Sequence, residues 1–108
     1  MKKEKLEVSK NVGVVIGATE AFFLGVLMGM CLKESEIYTE LVWDGDFFGI
    51  SNQRITQEYG LSPYQQTMAR VKLEKAGLVE TKKRGYPRLI LYKINAKAVN
   101  DFTGKEYV

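Results

Sequence analysis

Residues 21–32 read AFFLGVLMGMCL, twelve consecutive positions without a charged side chain in a chain of 108 residues that carries sixteen Lys and Arg. Such a run must be hidden from water, and where it hides decides the fold. Lys2, Lys3, Lys5 and Lys10 precede it as basic residues precede a membrane span, and Gly25 and Gly29 supply a GxxxG spacing. A twelve-residue helix is only about 18 Å long, however, whereas a bilayer core needs about 30 Å, or about 20 residues. Glu20 would stand inside any longer span, and no small-residue cleavage site of the A-x-A type follows. The expectation is a cytoplasmic chain without a membrane partner.

The run therefore reads as a helix of a globular core, with Thr19 as N-cap, Glu20 near the positive end of the helix dipole and Lys33 near the negative end. A helix that is apolar all round needs cover on every side, and a thin domain covers one. The most direct second cover is another copy of the chain, so a homodimer through Phe22, Phe23, Val26, Leu27 and Met30 is expected. The alternative is that the preceding VGVVI segment folds over the outer face of the helix.

At 108 residues, with 45 % apolar and 27 % charged side chains, one soluble domain with one core is expected. We divide it into an N-terminal segment 1–17, a core 18–95 and a C-terminal tail 96–108. The absence of histidine removes the commonest general base and metal ligand, and the single Cys31 cannot form an intramolecular disulfide. Cys31 reads as a small buried hydrophobe. Asp44 and Asp46 have no neighbouring group to complete an acid/base or metal site, and read as turn formers. No catalytic residue, metal or cofactor is expected, and the chain does not read as an enzyme.

Charge is unevenly spread. Residues 1–60 hold six basic and nine acidic side chains, a balance of −3, while residues 61–108 hold ten basic and four acidic ones, a balance of +6. A polyanion would dock on the second half.

Local signals supply the remaining elements. Asp44-Gly45 between aromatic and β-branched runs predicts a hairpin, whose Trp43, Phe47 and Phe48 read as core rather than as a stacking platform for single strands. SNQRITQEYG predicts a short helix with Ser51 as N-cap, Ile55 and Tyr59 on one face, and Gly60 as its stop. SPYQQTMARVKLEKAG predicts a better defined helix, with Ser62 as N-cap, Pro63 in the first turn and Gly77 beyond the end. LVETKKR and RLILYKIN, separated by GYP, predict a β-hairpin that carries Lys82, Lys83, Arg84 and Arg88. In such a strand Lys82 and Arg84 face one way and Lys83 the other. AKAVNDF adds one helical turn.

Two helices joined by a tight turn and followed by a basic hairpin form a helix-turn-helix with a wing, an α+β architecture with a three-helix core. Residues 61–95, LSPYQQTMARVKLEKAGLVETKKRGYPRLILYKIN, resemble the winged helix-turn-helix of phage and plasmid replication-initiation proteins and of MarR-like regulators. LEKAGLVE is common to winged helices in general, and SPYQQ followed by KRGYPRLILYKIN is closer to the replication-initiator group. The resemblance implies a double-stranded DNA-binding protein of a phage or mobile element, acting in transcriptional or replication control. In its register Leu61, Ala69, Leu73 and Leu78 are core, and Ser62, Tyr64, Gln65, Thr67, Met68 and Lys72 face DNA, with Lys82, Lys83, Arg84 and Arg88 on phosphates from the wing. Gln66 and Arg70 stand where aliphatic side chains are usual.

Tyr64, Met68 and Val71 also form an apolar stripe at i, i+4 and i+7, so either face of this helix could be the buried one. Exposed, Tyr64 and Met68 could contact thymine methyl groups or a partner protein, and Gln65 could pair with both polar atoms of an adenine edge. The competing function is a protein-interaction module on the same fold, binding a host or phage protein through this stripe.

Overall fold

A computed structural model of the chain describes residues 8–85 and 88–104. Lys2, Lys3 and Lys5, the hairpin tip Tyr86–Pro87 and the end of the C-terminal tail lie outside the described residues. The protein is α+β. Its elements run α1 (Lys10–Val15), α2 (Ala18–Cys31), a 3-10 turn (Tyr38–Glu40), β1 (Val42–Asp44), β2 (Phe47–Gly49), α3 (Asn52–Tyr59), α4 (Pro63–Lys75), β3 (Val79–Arg84), β4 (Leu89–Ile94) and α5 (Ala96–Thr103). The four strands form one antiparallel sheet in the order β1-β2-β4-β3. No helix among the described residues is long and apolar enough to cross a membrane.

The apolar run forms α2, and its cover comes from its own chain. Phe23, Val26, Leu27 and Met30 have no accessible surface, and α2 packs against α1, α4 and β4. Phe23 meets Tyr92 of β4 edge-on, with ring centroids 5.6 Å apart. Phe22, half-buried, meets Tyr59 of α3 in the same manner at 6.4 Å. Of the side chains expected at a dimer interface, Phe23, Val26, Leu27 and Met30 are buried within the single chain and Phe22 is half-buried.

Part of the cover of α2 comes from α1, on which α5 packs in turn. Ser9 caps α1 by accepting from the Val12 N–H at 3.3 Å, and Val12 is fully buried. Asn95 caps α5, which runs for two turns where one was expected, and Val99 is fully buried. The two helices touch, with the Asn11 side-chain amide donating to the Phe102 carbonyl at 3.5 Å. Val12 and Val99, outside the 18–95 expected of the core, therefore belong to it.

The ends of α2 also differ from expectation. Gly17, not Thr19, is the N-cap, with no side-chain cap bond, and the helix stops at Cys31, two residues before Lys33. Gly17 has φ 145°, and a Cβ there would overlap the Glu20 carboxylate, which folds back over it. Capping is worth about 0.5–2 kcal/mol, and burial of one large apolar side chain about 1.5–3 kcal/mol, so the many buried residues of α2 outweigh the missing cap.

Beyond α2, Cys31 is half-buried, and its thiol is pushed above the usual value first by burial and then by the charge of Asp46. The β1–β2 hairpin forms as expected, but its turn is Gly45-Asp46, one residue on from the Asp44-Gly45 pair that signalled it, with Asp44 in the strand opposite Phe47. Phe48 is fully buried, but Trp43, stacked on it at a tilt with centroids 5.3 Å apart, remains 39 % exposed.

Where β2 crosses to β4, the backbone of Ile90 passes so close to Gly49 that a Cβ would overlap the Ile90 carbonyl oxygen. Gly49→Ala must push β2 away from β4, and should lower stability by about 1–3 kcal/mol, the range of core overpacking, read as a lower urea midpoint with an unchanged slope.

Candidate nucleic-acid interface

The helix α4 is set by local chemistry at its start and by buried polar groups along its inner face. Ser62 accepts from the Gln65 N–H at 3.1 Å, and the Gln65 side-chain oxygen accepts from the Ser62 N–H at 2.9 Å, a complete capping box preceded by Gly60 in the left-handed region. Pro63 occupies the first turn, where its missing N–H costs nothing. Gln66, one residue on, is fully buried. Its amide nitrogen lies 3.0 Å from the Asn52 carbonyl, 2.9 Å from the Leu61 carbonyl and 3.1 Å from the Thr56 hydroxyl. Thr56 in turn reaches the Leu61 carbonyl at 2.6 Å. One glutamine thus ties α3, the turn and α4 together, adding its amide to carbonyls of Asn52 and Leu61 that the Thr56 hydroxyl also reaches.

Arg70 also turns inward. Its Nη1 is buried, and the guanidinium stands beside the Tyr92 hydroxyl, short of hydrogen-bond geometry. Burial holds the Tyr92 phenol above its ordinary ionisation range, with Arg70 pulling the other way and Glu74 adding to the rise. Together with Leu61, Ala69, Leu73 and Leu78, all buried, these residues give α4 its inner face and decide which of its two stripes is hidden.

The other stripe is open. Tyr64 is 73 % exposed, Met68 39 % and Val71 52 %. Lys75, eleven residues beyond Tyr64 and unremarked in the sequence reading, continues the same line by helical periodicity and is exposed. Thr67 is half-buried on one flank. Lys72, on the other, is held 3.7 Å from the buried carboxylate of Glu20. Ser62 and Gln65, both expected to face DNA, each have an oxygen in the capping box, Ser62 accepting from the Gln65 N–H and Gln65 from the Ser62 N–H.

The hairpin that follows is tied to α4 by the Thr81 hydroxyl, which donates to Glu74 at 2.9 Å. Strand register puts Lys83 on the same face as Thr81, and Lys82 and Arg84 on the opposite one, as expected. Lys83, Arg84 and Arg88 are exposed and form no ion pair among the described residues. Lys82 differs. It reaches across Leu91 to Asp44 at 2.9 Å, with its ammonium 4.5 Å from the Phe47 ring centroid. Asp44, read as a turn former, is therefore also an ion-pair partner, and Lys82 first and Arg84 second hold its carboxyl below the usual range. No sequence signal links positions 44 and 82; the sheet order does.

The raised phenol gives a pH signature. Below about pH 10 Tyr92 is neutral in both the folded and the unfolded chain; above it the unfolded chain loses the proton first, so stability falls as pH rises. Urea unfolding of Tyr92→Phe between pH 9 and 11 should lack the part of that fall due to this residue, and an identical alkaline loss in both proteins would show that Tyr92 is not responsible. A scan against protein-family models and searches of curated proteins and of solved structures gave no match to this chain.

Proposed function

We propose that the protein is a winged helix-turn-helix that binds double-stranded DNA, with α4 in the major groove and the β3–β4 hairpin lying along the backbone. The setting we favour is transcriptional or replication control in a phage or mobile element, in the cytoplasm. The observation that carries this reading is the pairing of a helix open along one whole face with an adjoining hairpin whose Lys83, Arg84 and Arg88 are exposed. The order β2-β4-β3 around two helices joined by Gly60-Leu61-Ser62 supports it. An α-helix is about 10–12 Å across with its side chains, and the major groove is about 12 Å wide, so α4 fits without deforming the duplex. Cations beside the groove gain from releasing counterions condensed on the phosphates, which makes affinity fall with salt.

A second reading, a protein-interaction module, is favoured by the exposed row Tyr64, Met68 and Val71, since an apolar patch on an ordered helix is a frequent protein contact. The two differ in their response to salt.

Fluorescence anisotropy of a labelled random-sequence duplex at about 50 and about 200 mM salt should show affinity falling steeply with salt. Replacing Lys83 and Arg84 together by alanine should weaken binding to every sequence and lower the salt slope by about 2. Lys82→Ala should do less, because Asp44 already neutralises that lysine. Absence of binding at low salt would overturn the DNA reading in favour of a protein partner.

A further inference from the structure

We infer that α4 reads the methyl groups of thymine, so that A·T-rich duplex is the substrate class of this interface; the inference rests on the DNA-binding reading above. It follows from which side chains α4 can still offer a base edge. Guanine is read chiefly by Arg or Lys bound to its O6 and N7. The one arginine of α4, Arg70, is turned into the protein with its Nη1 buried beside Tyr92, and Lys72 is drawn to the buried Glu20 carboxylate. Adenine is read by Asn or Gln using both amide atoms. The Gln65 oxygen accepts from the Ser62 N–H, and Gln66 has no accessible surface. These polar groups of α4 are engaged within the fold, and Lys75, exposed on the same line, stands in the last turn, away from the first turn that approaches base edges most closely.

What remains outward is Tyr64, Met68 and Val71, in one row, with Thr67 on its flank. The thymine 5-methyl is the apolar group that the major groove displays. Tyr64 and Met68 are four residues apart, about 6 Å along the helix axis, close to two base-pair steps of about 3.4 Å. Tyr64 also lies in the first turn, the part of a recognition helix that approaches base edges most closely.

Charge selects the duplex over an apolar protein groove as the occupant. Lys75 prolongs the apolar row, and Lys83, Arg84 and Arg88 stand exposed on the hairpin joined to α4 through Thr81 and Glu74. A duplex offers phosphates to those cations and methyl groups to the row between; an apolar partner would have to desolvate the cations without pairing them.

Replacing thymine by uracil deletes the methyl and leaves the hydrogen-bonding edge and the phosphates intact. The intact chain is titrated by anisotropy, at about 50 mM salt, into an alternating A·T duplex, the same duplex with every thymine replaced by deoxyuridine, and an alternating G·C duplex with and without 5-methylcytosine. Binding should be tightest to the thymine duplex and about fourfold weaker for each covered methyl lost on going to uracil, and methylation of the G·C duplex should restore part of the affinity. Tyr64→Ala and Met68→Ala change exposed positions, so both should unfold like the parent protein while the thymine–uracil difference shrinks. Equal, salt-dependent affinity for the thymine and uracil duplexes would overturn the inference and leave the DNA reading standing. Absence of salt-dependent binding to any of the four would overturn both.

Discussion

The structure depends on covering one helix that has no polar side. A helix that buries a stripe needs one neighbouring layer; α2 buries nearly its whole circumference and needs neighbours all round. The chain meets this with elements that are far apart in sequence: α1 before it, α4 and β4 after it, and α5, which packs on α1. Each of these is short, and none could bury its own apolar face alone. α1 and α5 are recruited into the core by this requirement, with Val12 and Val99 fully buried.

Burying α2 then dictates how α4 is held. The helix that lies across α2 carries polar residues on the side that faces inward, which costs stability unless each finds a partner. Gln66 finds carbonyls and a hydroxyl from α3 and the turn, Arg70 stands against Tyr92, and Lys72 reaches Glu20 at the start of α2. These contacts fix the rotation of α4 about its axis, which apolar packing alone would leave less sharply defined. They also explain an otherwise uneconomical surface. An exposed row of Tyr64, Met68 and Val71 is the consequence of this rotation, because the opposite one would break the bonds of the Gln66 amide to Asn52, Leu61 and Thr56 and expose Ala69 and Leu73.

How much of this the sequence disclosed follows from how local each cause is. The start of α4 was legible because its cap is made by Ser62, Pro63 and Gln65, all within one turn, and its stop by Gly77 just beyond. The hairpin at Asp44-Gly45 and the alternation of Lys82, Lys83 and Arg84 were legible for the same reason. The ends of α2 were misplaced by two residues at each terminus because burial, not a cap, sets them. Gln66 and Arg70 were visible as departures from an aliphatic pattern, yet their partners Thr56 and Tyr92 are assigned only by the packing of α3 and β4. Lys82 read as a phosphate contact because its partner, Asp44, lies 38 positions away, at the opposite edge of the sheet with two strands between.

That last pairing bears on the charge asymmetry of the chain. A balance of −3 in the first half and +6 in the second would suggest one uniformly basic surface. Folding instead brings carboxylates of the acidic half to particular cations of the basic half: Glu20 to Lys72 and Asp44 to Lys82. Neither pair is worth much as stability, since lysines this exposed are screened by water and salt. Their effect is on where the remaining charge lies. With Lys72 and Lys82 compensated, the exposed cations of α4 and the hairpin that form no ion pair among the described residues are Lys75, Lys83, Arg84 and Arg88. A rod of phosphates meeting this surface would be oriented before any base edge is touched, because attraction to fixed charges acts at longer range than contact with a methyl group. Orientation and sequence reading would thus fall to different residues, the first to the hairpin and Lys75, the second to the apolar row that the inner polar contacts of α4 hold outward.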